Sequence, residues 1–207
     1  MIDCFEECLD VQSALDFTLA QGLCLSGAEL GNVQLMDWRA GSLEIASQCG
    51  FDEEFLTFFR KVTTRDGSVC ARALRRREPI IVEDVMSDIE FAACRTIACS
   101  AGFRAVQSTP IVSSNGALLG MLSTHFPSLH KPSDATMAAL RVLARAAADV
   151  IILRRSAMYD VGSMIERSGQ ALEDSYRVLT RADHAVRYFR GRDQKADWRS
   201  QPLPAGS

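Results

Sequence analysis

No stretch of this chain is long and apolar enough to cross a bilayer. Its most apolar window, Ala146 to Leu153, falls far short of the ~20 residues that a spanning helix needs, so no membrane association is expected. Basic clusters interleaved with aromatics are missing as well, and the net charge is −3, which argues against nucleic acid as a partner. The one cationic run, Arg75-Arg76-Arg77, closes a short amphipathic segment, where positive charge complements the helix dipole. The seven cysteines are odd in number and irregularly spaced, so they form no disulfide framework. Asp3, Glu6, Glu7 and Asp10 crowd the first turns, and no signal peptide is expected. A reducing cytoplasm is the expected location. No Gly-rich nucleotide loop is found, and the histidines (His125, His130 and His184) do not group into a metal-ligating set.

What the chain does have is a core-forming composition. Hydrophobic residues make up 47% and charged residues 24% of 207 positions, which suits a folded globular domain with some additional helix. The organising stretch is Gly102 to His125, GFRAVQSTPIVSSNGALLGMLSTH, which alternates as two strands. Ser113-Ser114-Asn115-Gly116 between them offers the positive φ of a hairpin turn. Polar Gln107, Ser108, Thr109, Ser123, Thr124 and His125 lie within otherwise apolar strands, so one face of the hairpin is expected to line a cavity.

Around this hairpin, helical spacing of Phe5, Leu9, Leu15 and Leu19 predicts a helix over residues 2–21, broken by Gly22, Ser26 and Gly27. Residues 32–39 and 43–48 alternate as a hairpin about Ala40-Gly41-Ser42. Asp52 caps a helix whose core face is Phe55, Leu56, Phe58 and Phe59, and Ser68 to Arg77 forms a second short helix. Residues 79–85 read as a strand, and residues 89–101 as a helix closed by Gly102. A long helix starts at Ser133-Asp134 and runs through Met137, Leu140, Leu143, Ala147 and Ile151. This order predicts an α+β domain with an antiparallel sheet over residues 1–153.

Nothing stops the last helix at Leu153. Val161, Ile165, Ser168, Leu172, Ser175, Leu179, Ala182, Val186 and Phe189 alternate spacings of four and three, a heptad seam over residues 154–190. The seam is soft, because Gly162 and Gly169 each cost roughly 1 kcal/mol of helix propensity and its serines bury little. A helix of this kind suits pairing with a second copy of the chain. Residues 191–207 are expected to be a disordered tail.

The runs Gly50 to Val85 (GFDEEFLTFFRKVTTRDGSVCARALRRREPIIVEDV) and Ala101 to Phe126 (AGFRAVQSTPIVSSNGALLGMLSTHF) closely resemble bacterial GAF domains of the sensor type found in or beside sensor histidine kinases. The resemblance covers about residues 12–153. It implies a GAF/PAS-like fold with a central six-stranded antiparallel sheet flanked by helices, a small-molecule pocket on one face, and a homodimer held by the terminal helices. The implied function is a dimeric small-molecule sensor or adaptor in bacterial signal transduction, partnered by a sensor kinase or other signalling protein. His184 lacks the surroundings of a phosphoacceptor.

GAF domains bind unlike ligands, so each ligand class is weighed on residues. Covalent bilin, as in phytochromes, wants a pocket cysteine followed by histidine. Cys94 falls within a residue of that place, but Arg95 follows it. Haem would leave His125 as the single core ligand, and the residue set of cyclic-nucleotide binders is missing. Free methionine-(R)-sulfoxide reductases share the fold. Ile97-Ala98-Cys99 resembles their catalytic stretch and Cys70 a second family cysteine, while their acidic residues would fall at Val106, Ser123 and His125. A thiol without those acids lacks the means to polarise S=O, so a reductase using Cys99 stays the enzymatic alternative and a ligand-free dimerisation module the structural one. No catalytic residue and no cofactor is assigned.

In the resemblance the pocket lies between the sheet and the helix carrying Cys94 to Ala101. The expected ligand-binding residues are Cys94, Arg95, Ile97, Phe103, Gln107, Thr109, Ser123 and His125. The last four share a parity within their strands and are expected on the pocket face. Ile97 and Phe103 would give apolar wall, and Arg95 charge for an anionic ligand.

Overall fold

The computed structural model describes Phe5 and residues 8–193, with the backbone alone for residues 158–162, 175–176 and 178–193. The helix expected over residues 2–21 is interrupted: Phe5 is helical, residues 8–10 are not, and α1 (Val11–Ser26) follows. Asp10 fixes the start by a capping box. Its carboxylate accepts the Ser13 N–H at 2.7 Å, and its own N–H donates to the Ser13 hydroxyl at 3.2 Å. The helix runs straight through Gly22, which spacing had placed in a break. A Cβ there would meet the Leu122 side chain at 2.9 Å, so glycine allows α1 to lie close on the sheet. Gly27, at φ 69°, ends it.

The chain then forms β1 (Leu30–Asp37) and β2 (Ser42–Cys49), followed by α2 (Glu53–Phe58), whose first turn donates the Phe55 N–H to Asp52 at 3.0 Å. Only six residues long, α2 has one inward face. Phe55 and the following Phe59 are buried, whereas Phe58, expected in the core, is half exposed. Next come α3 (Val69–Arg76), capped by Ser68, and β3 (Ile80–Val82). The helix expected over residues 89–101 begins only at Arg95. A 3₁₀ turn (Ala92–Cys94) precedes α4 (Arg95–Ser100), and Gly102 at φ 75° closes it. The organising hairpin follows as β4 (Ala105–Val112) and β5 (Leu118–Phe126), with Gly116 in the turn at φ 85°.

The sheet has five strands among the described residues, in the order β2-β1-β5-β4-β3 with every pair antiparallel, not the six expected. Outside β2, at the edge of the sheet, one residue adds an isolated bridge. Val62 bridges Leu43 through two backbone hydrogen bonds of 2.7 and 3.0 Å. Beyond it the Asp66 carboxylate accepts the Thr63 N–H and hydroxyl and turns the chain away.

One face of the sheet carries Val33, Ile111 and Leu122, buried under α1 and under Leu140, Leu143, Ala147 and Ile151 of the last helix, α5 (Asp134–Asp193). Each fully buried Val, Leu or Ile here contributes roughly 1.5–3 kcal/mol of transfer free energy. The other face packs on α2, α3 and α4 through Phe51, Phe55, Val69, Phe91 and Ile97. Both faces are therefore covered, and every residue of β5 is buried.

The chain divides into two compact units, Met1–Ser156 and Ala157–Ser207. In the second, the α5 backbone stays helical to Asp193, past the expected end at residue 190. Met164, Ile165 and Leu172 are each more than half exposed. The rest of the expected disordered tail, residues 194–207, lies outside the described residues.

Candidate functional site

Strand register decides which side chains meet. In the β4–β5 ladder Val106 stands opposite His125 and Ser108 opposite Ser123, while Gln107 pairs with Thr124 and Thr109 with Leu122. In the β1–β5 ladder Leu30 pairs with His125, Asn32 with Ser123 and Gln34 with Met121. Directly opposed residues share a sheet face, so Asn32, Gln34, Ser108, Ser123 and His125 project together towards α2, α3 and α4. Between them and those helices lies a cavity of about 20 Å³, walled on the helix side by Phe55, Phe59, Phe91, Phe103, Ser68 and Cys70. That volume takes about one water.

The polar lining is only partly satisfied. The Ser108 and Ser123 hydroxyls bond each other at 2.7 Å, and the Ser68 hydroxyl meets the Cys70 thiol at 3.3 Å. Four buried atoms have no protein partner: Asn32 Oδ1, Gln34 Oε1 and Nε2, and His125 Nδ1. Leaving such an atom unpaired in a core costs about 1–3 kcal/mol, so this arrangement calls for something to occupy the cavity.

His125 sits edge-on among aromatic rings, with centroids 4.6 Å from Phe103, 4.9 Å from Phe51 and 5.9 Å from Phe55. Burial pulls its pKa down to about 3, against a smaller opposing contribution from the Leu30 backbone. The imidazole is therefore neutral in the folded protein across the physiological range. In the unfolded chain it titrates near pH 6.5, so below that value the unfolded state binds a proton that the native state refuses. Stability from this group is complete above about pH 6.5 and is lost as pH falls towards 3. Urea unfolding is expected to show a loss of about 2 kcal/mol between pH 7.5 and pH 5 that His125→Phe flattens. An equally steep profile in the variant would place the titrating group elsewhere.

The remaining expected site residues scatter. Gln107 and Thr109 do not share a face with Ser123 and His125, as strand parity predicts, but lie on the opposite face. There they are fully buried and satisfy one another: Gln107 Nε2 donates to Thr124 Oγ1 at 3.0 Å, and the Thr109 hydroxyl donates to Gln107 Oε1 at 2.9 Å. Arg95 is spent on the preceding loop, its guanidinium donating to the Asp88 and Val85 carbonyls at 2.9 and 3.4 Å, so it does not bring charge to the cavity. Cys94 is buried in the same apolar cluster, its thiol pushed up to about 11 by burial, but it is not among the lining side chains. Ile97 is buried behind the wall, and Phe103 forms part of it. Cys99 is exposed, its thiol 3.9 Å from the Met86 sulfur and outside the lining, whereas the lining Cys70 thiol is raised by burial. Thiolate chemistry needs an accessible, readily ionised thiol; Cys70 at the cavity is buried with its thiol raised, and Cys99 lies outside the lining.

Asn32, Gln34 and Ser68 join the site without having been singled out for it, and Ser108, one of the polar hairpin residues, takes its place on the cavity face. The signal for two of them was present: Asn32 and Gln34 occupy the same parity of an otherwise apolar strand, NVQLM. The buried arginine is Arg72 of α3, not Arg95, and its Nη1 donates to both carboxylate oxygens of Asp88 at 3.0 and 2.9 Å.

Comparison with known proteins agrees with this architecture. Residues 8–152 match the family described as GAF domain. Among solved structures, a domain of a two-component sensor histidine kinase protein from Sinorhizobium meliloti is similar at 19% identity and TM-score 0.58, over 70% of this chain and 93% of that one. The GAF domain of a phosphoenolpyruvate-protein phosphotransferase from Acinetobacter is similar at 14% identity and TM-score 0.63, covering 76% and 92% of the two chains. Free methionine-R-sulfoxide reductase from Neisseria meningitidis, in complex with its substrate, is similar at 22% identity and TM-score 0.61, covering 75% and 86%. No curated protein matches the sequence.

Proposed function

The chain belongs to the GAF domain family, a type of sensor and signalling module, and on that premise we propose that it is a dimeric small-molecule sensor in bacterial signal transduction. The cavity between the sheet and α2, α3 and α4 receives the ligand, and α5 carries the response to a second copy and onward to a sensor kinase or other signalling protein. The observation that carries this reading is the set of four unpartnered polar atoms, on Asn32, Gln34 and His125, converging on one cavity. A core retained only to hold the helices would be more stable without them. Support for the dimer comes from Ile165 and Leu172, two positions of the heptad seam that are about 70% exposed on the single chain. The placement of Cys99 outside the cavity speaks for sensing over sulfoxide reduction, and the site works without a catalytic residue. A reducing cytoplasm fits its free thiols.

Native mass spectrometry of freshly purified full-length chain tests this directly. A dimer carrying one small molecule per protomer is the expected species. A bare monomer at tens of micromolar, a range in which even a soft coiled coil should pair, would sink the proposal.

A further inference from the structure

The chemistry of the cavity wall narrows the ligand. We propose that the cavity takes an uncharged ring compound presenting a hydrogen-bond donor and acceptor side by side, the edge of a lactam or cyclic imide, and rejects anions, cations and zwitterions of similar size. This rests on the cavity being the sensing site.

The first ground is what the wall omits. No Asp, Glu, Lys or Arg side chain is among its lining residues. The guanidiniums borne on the flanking segments are committed elsewhere or exposed: Arg72 holds both oxygens of Asp88, Arg95 two backbone carbonyls and Arg104 the Asp84 carboxylate, while Arg60 is exposed. A charged ligand would enter a buried site whose lining offers no counter-charge, the costliest way to bury an ion. His125 does not offer a charge either, since its ring is held neutral among phenylalanines.

The second ground is what the wall offers. The Gln34 carboxamide is fully buried with both its oxygen and its nitrogen unpartnered. A free carboxamide presents an acceptor and a donor in one plane, and a lactam edge answers it with two parallel hydrogen bonds, the geometry by which glutamine and asparagine read adenine. Asn32 Oδ1 and His125 Nδ1 supply two further positions around the ring. Phe55, Phe59, Phe91 and Phe103 supply apolar faces against which a flat ring packs.

At about 20 Å³ the cavity is smaller than any ring, so a ring must displace the Phe55–Phe59 wall borne on and beside the six-residue α2. Phe59→Ala opens that wall without touching Gln34 and guards the test against a parent that stays shut. The full chain, Phe59→Ala and Gln34→Leu are each titrated with uracil and 2-pyridone as neutral lactams, barbiturate as an anion on the same ring, and proline as a ring zwitterion. The lactams are expected to raise the melting temperature of the parent or of Phe59→Ala by about 4 °C at ten times Kd, with no shift from barbiturate or proline. Gln34→Leu should abolish the shift while itself melting no lower than the parent, because it removes an unpaired amide. Lactam binding that survives Gln34→Leu overturns the proposal. Gln34-dependent binding of barbiturate or proline without the lactams overturns the ligand class and leaves the sensing site standing. Silence from every probe, in Phe59→Ala as in the parent, takes down both.

Discussion

Gly120→Ala is expected to destabilise the domain by about 3 kcal/mol or more, although it adds a single methyl group. Gly120 lies in β5, opposite Leu35 of β1 and Ile111 of β4. A Cβ at this position would come within 1.9 Å of the Gln34 carbonyl oxygen and 3.2 Å of the Leu35 Cα. Both obstacles are backbone, so no rotamer change relieves the contact. The β1–β5 ladder must open at its Leu35–Gly120 end, and the neighbouring Gln34 moves with β1. Urea titration should show the midpoint fall with little change in slope, the signature of lost stability in an otherwise similar fold. A loss below about 1 kcal/mol would mean that the two strands run further apart than described.

Leu172→Asp should convert the proposed dimer to monomer while leaving residues 8–156 folded. Leu172 is 72% exposed and Ile165 67% on the single chain, and in a paired seam both would be removed from water. An aspartate there would have to be buried without a partner charge, weakening association by about a hundredfold or more, roughly 3 kcal/mol. Light scattering at tens of micromolar reads the mass, and near-ultraviolet circular dichroism reads the packing of the domain. A variant that remains dimeric shows that the second copy is held elsewhere, and a variant that loses its domain signal shows that the seam is no independent element. The measurement is informative because Leu172 stands beyond Ser156, where the first compact unit ends.

The hairpin of β4 and β5 was legible because its turn chemistry and alternation agree, and Asp52, Ser68 and Gly102 cap or close their helices as local rules require. Parity across the hairpin was not. Within each strand alternation fixes which residues share a face, but which face of β4 matches which of β5 depends on the register. A shift between Ile111 and Val112, where Ile111 pairs with Gly120 and Val112 with Leu118, sets that match. Such an irregularity leaves no mark in composition, and it put Gln107 and Thr109 on the helix-covered face opposite the cavity. The choice between Arg72 and Arg95 was hidden for a similar reason. Both follow buried residues on short helices, and only the path of the loop bearing Asp88 decides which guanidinium finds a carboxylate. The missing sixth strand belongs with these: Val62 has the β-branched character of a strand residue, but the Thr63–Asp66 turn beside it overrides that preference.

The order of strands also governs how the protein comes into being. Its central strand, β5, is the last to be synthesised, and the two strands it joins come from different parts of the chain: Leu30 meets His125, and Leu35 meets Gly120. The first hairpin, β1 with β2, can form early under α1, which precedes it, but one edge of β1 stays unpaired until β5 is made. On the ribosome that edge of β1 must therefore wait for its partner until the chain has been extended through Phe126. Closure over such sequence separations is slow, on the order of milliseconds to seconds, and through that interval the nascent protein presents an unpaired strand edge on which chaperones, or another unfinished copy, can act.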